Sequence, residues 1–161
     1  MAAALPASTP ARNSQSESRP AARESTTSDV TGRLARYMVA AREGELPASI
    51  ARDAKQRILD TIGAMVSGAA LRPGVLATQY VRAQGGTAEA SVLTTDIRTT
   101  AVNAALANGM FAHADETDDF EPVTKAHPGS AVVPAALAMA ERERRSGTEL
   151  IHAVVLSKQN D

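Results

Sequence analysis

Between residues 50 and 69 apolar side chains return every third or fourth position. They are Ile50, Ala54, Ile58, Ile62, Met65 and Ala69, with Arg52, Asp53, Lys55 and Gln56 opposite. This spacing fits the period of an α-helix and predicts a long amphipathic helix opened by Pro47 and Ser49. Before it, Leu34, Tyr37, Met38 and Ala41 mark one face of a shorter helix, with Ser28 or Asp29 as its cap. Gly63 and Gly68, towards the end of the long helix, predict close approach of a neighbouring helix. Arg72-Pro73-Gly74 reads as a break, and 75–83 as a third helix stopped by Gly85-Gly86. Residues 90–94 (Ala-Ser-Val-Leu-Thr) are short and β-prone, a strand or an extended linker. Thr99 or Thr100 caps a helix over about 101–114, which Ala104, Ala105, Ala107, Gly109 and Ala112 keep thin. A further helix starts at Ser130 or Val133, with Pro134 in its first turn or at a kink. It carries Leu137, Met139 and Ala140 and ends in the charged run 141–145. Ser146-Gly147 separates it from a last helical segment at 148–156.

Residues 1–28 break this pattern. Ala, Ser, Thr, Pro and Arg dominate with almost no large apolar side chain, so nothing offsets the entropy of ordering and a disordered tail is expected. The tail lacks the apolar centre of a secretory signal. Arg12, Arg19 and Arg23 among serines resemble a transit peptide, but Glu17 and Glu24 argue against one. The expected organisation is a tail over 1–28 and one helical unit over 29–161.

Composition adds exclusions. Seventeen basic and 18 acidic side chains leave a net charge of −1, which gives no electrostatic case for a nucleic-acid partner. There is no cysteine, so disulfides, thiol nucleophiles and Cys-ligated metals are excluded. That fits a reducing compartment, and a cytoplasmic location is expected. No apolar run approaches the roughly 18 residues of a membrane span, so no membrane partner is expected. Alanine dominates the apolar set, and the aromatics are Tyr37, Tyr80, Phe111 and Phe120, which favours an all-α fold of closely packed helices. Small side chains bury little area each, so the unit is expected to be marginal alone and to need more protein around it.

Chemistry concentrates in residues 113–130. Asp115, Glu116, Asp118, Asp119 and Glu121 crowd together, with His113 and His127 on either side and Pro122 and Pro128 as loop punctuation. Like charges repel and resist burial, and the C-terminal end of a helix is already negative, so such a cluster works against folding. A solvated acidic loop is the plain explanation. A divalent-metal site is a second, because Asp115, Asp118 and Asp119 are spaced D-x-x-D-D and hard oxygen ligands suit magnesium. The stretch lacks the glycine turn of a calcium loop, and the chain has no second acidic motif of the kind that holds magnesium-diphosphate in isoprenoid synthases. No metal is therefore expected. A third reading is general acid–base catalysis. Crowded carboxylates push their pKa values apart, an imidazole titrates near neutrality, and Lys125 can hold an anionic substrate.

The stretch Ala104-Ala-Leu-Ala-Asn-Gly-Met-Phe-Ala-His-Ala-Asp-Glu-Thr-Asp-Asp, followed by His127-Pro-Gly-Ser-Ala-Val-Val-Pro-Ala-Ala-Leu-Ala, resembles the MmgE/PrpD family. Known members include 2-methylcitrate dehydratase and cis-aconitate decarboxylase. Arg57-Ile-Leu-Asp-Thr-Ile-Gly and Gly147-Thr-Glu-Leu-Ile resemble further family segments in family order, so the likeness covers about residues 30–156. The resemblance implies a mostly helical domain, a separate α/β lid, homodimers, and lyase chemistry on small polycarboxylates without a cofactor. Glu116, Asp118, Asp119 and His127 match the family's Asp-x-Asp-Asp-Thr loop and the histidine after it, and the resemblance makes them the catalytic set. Glu116 or Asp118 would abstract the proton, and His127 would donate one or hold a substrate carboxylate. Lys125 and His113 are candidate substrate binders, with an exposed loop lysine and a structural histidine as the alternatives. His152 has no functional case.

Three departures stand out. Glu116 occupies a position where Asp is usual, Phe120 one where Thr is common, and the spacing to His127 is one residue longer than in the decarboxylases. These leave open which polycarboxylate is the substrate. The family also continues well beyond Leu156, so the chain is expected to be the N-terminal part of the helical domain, a truncated product or fragment. Alone it is then expected to show no turnover of 2-methylcitrate or cis-aconitate. The alternative is a non-catalytic helical interaction module that associates with a full-length homologue.

Overall fold

Six helices and one minimal strand pair make up the described part of the chain. In order these are α1 (Val30–Arg42), α2 (Ala48–Gly68), α3 (Arg72–Gln84), β1 (Ala90–Ser91), β2 (Arg98–Thr99), α4 (Ala101–Ala112), α5 (Pro128–Arg142) and α6 (Gly147–Lys158). This computed structural model describes residues 29–42 and 44–158, so the tail expected over 1–28 lies outside the described residues. The architecture is all-α, as the alanine-rich composition implies. No helix among the described residues is long and apolar enough to cross a membrane.

The thin helix is the central one. α4 packs against α2, α3 and α5. It buries Ala101, Ala104, Ala107, Phe111 and Ala112 against Met65 of α2, Ala77 and Val81 of α3, Val133 and Ala138 of α5, and Val154 of α6. Small side chains let the backbones close in. A Cβ on Gly68 would run into the carbonyl of Phe111, and one on Gly109 would stand 3.0 Å from the carbonyl of Ser130. The buried Asn108 ties α4 to the strand turn, because Leu93 N–H donates to its Oδ1 at 2.9 Å and its Nδ2 donates to Ser91 O at 3.0 Å.

Caps explain several boundaries. Gly32 N–H donates to Asp29 Oδ1 at 2.9 Å, which fixes the start of α1. Thr100 Oγ1 accepts from Asn103 N–H at 3.3 Å at the start of α4. Gly85 ends α3 with φ +62°, a left-handed conformation that suits glycine. Ser146 and Glu149 form a reciprocal capping box at α6: Ser146 N–H donates to Glu149 Oε2 at 2.9 Å, and Glu149 N–H to Ser146 Oγ at 3.3 Å.

Other expectations fail for identifiable reasons. Residues 72–74 do not form a break. Pro73 sits in the first turn of α3, where its missing N–H costs nothing, and Gly74 is buried against the backbone of Gly68 and Ala69. Gly63 meets no neighbour within 4 Å, so it marks an open face rather than a helix contact. α5 begins at Pro128, two residues before the earliest expected start, and Pro134 lies inside it beyond the first turn. The proline leaves the Ser130 carbonyl without its helical donor, and that carbonyl faces Gly109 of α4. Residues 90–94 contribute two residues of strand, Ala90 and Ser91, paired antiparallel with Thr99 and Arg98. The expected apolar face of α1 is not covered, since Leu34, Tyr37 and Met38 stay exposed.

Candidate active site

Two helix ends build the site. His113 is the C-cap residue of α4 and His127 the N-cap residue of α5. Because α4 and α5 pack on each other, their connection returns the chain to where it left, and the two imidazoles meet edge to face with ring centroids 4.9 Å apart. Asp118 lies between them. Its carboxylate is wholly buried, and both oxygens are 3.2 Å from His113 Nδ1. His127 Nδ1 is 3.2 Å from Asp118 Oδ1. That distance is right for a hydrogen bond but the angle is not, and this buried nitrogen has no hydrogen-bond partner.

The connecting loop separates the five carboxylates. Asp115 accepts from Ser67 Oγ of α2 at 2.5 Å and from Thr117 Oγ1 at 2.8 Å, and these donors hold its carboxyl below the ordinary carboxylate range, the Ser67 bond contributing most. Asp119 Oδ1 accepts from Gly129 N–H at 2.6 Å, which places its charge on the N-terminus of α5, where a helix favours an anion. Glu121 accepts from Thr124 Oγ1 at 2.6 Å and from the backbone N–H groups of Thr124 and Val123, and these bonds lower its pKa in that order of size. Glu116 is exposed with a left-handed φ of +55°, and its carboxylate has no hydrogen bond or ion pair among the described residues. The sequence predicts one crowded cluster. The fold disperses it, giving each carboxylate except Glu116 its own partners.

This dispersal bears on the metal question. Asp115, Asp118 and Asp119 do not converge, so the D-x-x-D-D spacing forms no ligand set among the described residues. His113, Asp118 and His127 do converge, with ligand atoms within 4.8 Å of one another. Two imidazoles and a carboxylate can share a proton or hold a divalent cation such as zinc.

Lys125 is on the same loop. Glu121 N–H donates to Ala126 O, and Lys125 N–H to Glu121 O, each at 2.9 Å, so residues 121–126 form a closed turn. The Lys125 Nζ stands 5.4 Å from the centre of the Phe120 ring, whose centre is 5.4 Å from that of His127. An open groove of about 580 Å³ runs along α2 past Gln56, Asp60 and Ser67 and touches the loop at Thr117, beside the His113–Asp118–His127 cluster rather than over it.

Sequence reasoning missed the support from α2. Thr61, buried and donating to Arg57 O at 2.9 Å, would lie 3.0 Å from a Cβ on Gly129. Its signal was a hydroxyl on the apolar stripe of α2. Arg57, whose pKa is raised by its hydrogen bond to Asp53, also feels the charge of Asp119. Ser67, 48 residues before its partner Asp115, left no local signal.

The family model described as the MmgE/PrpD N-terminal domain matches residues 32–158. The chain is also similar to cis-aconitate decarboxylase of Homo sapiens, 34% identical over 105 residues, which are 64% of this chain and 21% of that protein. The match thus spans about a fifth of the length of the curated relative.

Proposed function

Because the chain belongs to the MmgE/PrpD family, we propose that it carries one wall of a lyase active site that moves protons on small polycarboxylates, with Asp118 and His127 at its centre. The observation that supports this is the buried Asp118 carboxylate lying 3.2 Å from Nδ1 of both His113 and His127. A carboxylate removed from water needs a proton or a cationic neighbour, and two imidazoles can supply either. With Nδ1 of His127 turned to Asp118, Nε2 is left to exchange a proton with a substrate. Dehydration takes a proton from carbon beside a carboxylate and gives one to the departing hydroxyl. Decarboxylation returns a proton to the carbon that loses CO2. An imidazole held by a buried carboxylate serves both as acceptor and as donor. Glu116, exposed and uncommitted, is the second candidate acceptor, while Asp119 and Glu121 act through the loop they brace.

A polycarboxylate approaching this surface meets the negative field of Asp115, Glu116 and Asp119, with the buried Asp118 carboxylate behind them and Lys125 on the same loop. Further positive charge has to come from an opposing wall, whether another segment or a second copy in a homodimer. Grafting residues 32–158 into human cis-aconitate decarboxylase, in place of the matching segment, tests the reading. Lyase turnover that survives the graft and is lost on Asp118→Asn and on His127→Gln supports it. A folded chimera that turns over no polycarboxylate overturns it. The isolated chain is expected to show no turnover.

The interaction-module reading has its own support. Asn103 and Asn108 are the polar side chains of α4, and Val102, Leu106 and Met110 form an exposed apolar stripe along it. Light scattering and co-purification with a full-length homologue test it. A monodisperse monomer that captures no homologue counts against association.

A further inference from the structure

We propose that His113, Asp118 and His127 form a binding site for a divalent cation of the zinc class. The three side chains bring two imidazole nitrogens and a carboxylate oxygen to within 4.8 Å of one another. Both Nδ1 atoms stand 3.2 Å from Asp118 Oδ1. A hydrogen bond between a charged imidazole and a carboxylate closes to about 2.7–2.9 Å. Ligand atoms that share a tetrahedral zinc, at bonds of about 2.0–2.1 Å, stand roughly 3.3–3.4 Å apart. The observed spacing is nearer the second value. Alignment agrees with it. His127 Nδ1 is buried, lies off the hydrogen-bond direction to Asp118 and has no other partner among the described residues. A buried nitrogen left unpaired is unfavourable, and a cation held between it and the carboxylate would satisfy both.

Two nitrogens and one oxygen set the class of ion. Imidazole suits zinc, copper, nickel and cobalt, whereas magnesium and calcium take oxygen shells that this cluster does not offer. A zinc held by three protein ligands keeps a fourth position for solvent. The cluster allows that, since the His113 and His127 side chains are partly exposed while the Asp118 carboxylate between them is buried. The donors are held by the fold: His113 closes α4, His127 precedes α5, and α4 packs on α5. Asp115, Glu116 and Asp119 add a negative field along the loop that draws a cation in. Bound zinc takes the place of the proton that the cluster shares. Binding needs only these three side chains and is independent of the lyase reading; inhibition of turnover by zinc follows from the two together.

Titration of the untagged 161-residue chain with zinc ion alone, by calorimetry and by NMR of the histidine ring nitrogens, tests this. One zinc per chain is expected, with the Nδ1 signals of His113 and His127 moving together and those of His152, on α6, unmoved. Cobalt(II) should compete with zinc and show the visible absorption of a four-coordinate site, and magnesium should displace neither. His113→Gln, at the more exposed histidine, and Asp118→Asn should each weaken zinc at least about tenfold, the size of effect that loss of even an outer-shell partner produces. His152→Gln should bind as the unaltered chain does. Circular dichroism checks that each variant keeps its helices, and should Asp118→Asn unfold, His113→Gln and the ring-nitrogen signals decide. No binding, an equal response of His152, or affinity retained in His113→Gln overturns the site. Zinc bound as expected beside a chimera without turnover overturns the lyase reading alone.

Discussion

Asp119 caps α5 from ten residues upstream, its Oδ1 accepting Gly129 N–H at 2.6 Å. His127 occupies the formal cap position but makes no side-chain cap bond, so the distant carboxylate replaces it. Asp119→Ala is expected to cost about 1–2 kcal/mol of stability in chemical denaturation, and Asp119→Asn less, since an amide oxygen still accepts. Gly129→Ala would push a Cβ against Asp119 Oδ1 and Thr61 Oγ1, and should cost roughly 1–3 kcal/mol. If both variants match wild type, Asp119 does not anchor the loop.

Gly63 and Gly68 make an internal control on α2. Gly68→Ala forces a methyl into the Phe111 carbonyl at the contact of α2 with α4, and is expected to destabilise by several kcal/mol or to abolish folding. Gly63→Ala faces open space, so the gain in helix propensity should stabilise by up to about 1 kcal/mol. Melting temperatures of the two variants check the opposite signs.

Loss of the Asp118 carboxylate leaves two imidazoles facing each other. Asp118→Ala is expected to destabilise by roughly 1–3 kcal/mol, less than for a fully enclosed network because the His113 and His127 side chains are 49% and 27% exposed. The ring protons of both histidines should shift together in NMR spectra. A change confined to one ring would show that Asp118 serves that histidine alone. In the chimera, His127→Gln is expected to lower turnover by about 10²–10⁴-fold.

Acid should loosen the loop before the helices. Asp115 and Glu121 have folded pKa values below their unfolded ones, because hydroxyl and backbone donors bind the charged carboxylates. A depressed folded pKa contributes stability that is fully present above the unfolded value, about 4, and is lost as pH falls through the folded value. Protection factors of the Val123 and Thr124 amides, taken relative to the intrinsic rate at each pH, should therefore hold at neutral pH and fall below about pH 4. Glu121→Gln should remove that dependence at these amides. Loss of protection already at neutral pH, or a fall that persists in Glu121→Gln, would overturn the assignment.

Much of this protein is written locally. The period of Ile50, Ala54, Ile58, Ile62 and Met65 predicts α2, Thr100 and Asp29 cap helices as expected, and Gly85 stops α3 where the backbone turns left-handed. Such signals depend on neighbours within one or two helical turns. The same holds for the stretch from His113 to His127, whose residue types single it out and whose flanking segments match the family.

Tertiary structure decided what each residue in that stretch does. Five carboxylates close in sequence have equal claims until partners are assigned, and for Asp115, Asp118 and Asp119 partners come from other elements: Ser67 on α2, the two cap histidines that α4 and α5 bring together, and Gly129 on α5. The boundary of α5 moved for the same reason, because Pro128 can open a helix whose next N–H is satisfied by Asp119 from the loop. Gly63 and Gly68 are alike in sequence and differ only in whether another backbone lies over them. Composition and period therefore determined the helices and the location of the chemistry. Long-range packing decided which carboxylate is buried between imidazoles and which ones hold the loop, because burial and hydrogen-bond partners are properties of the assembled chain.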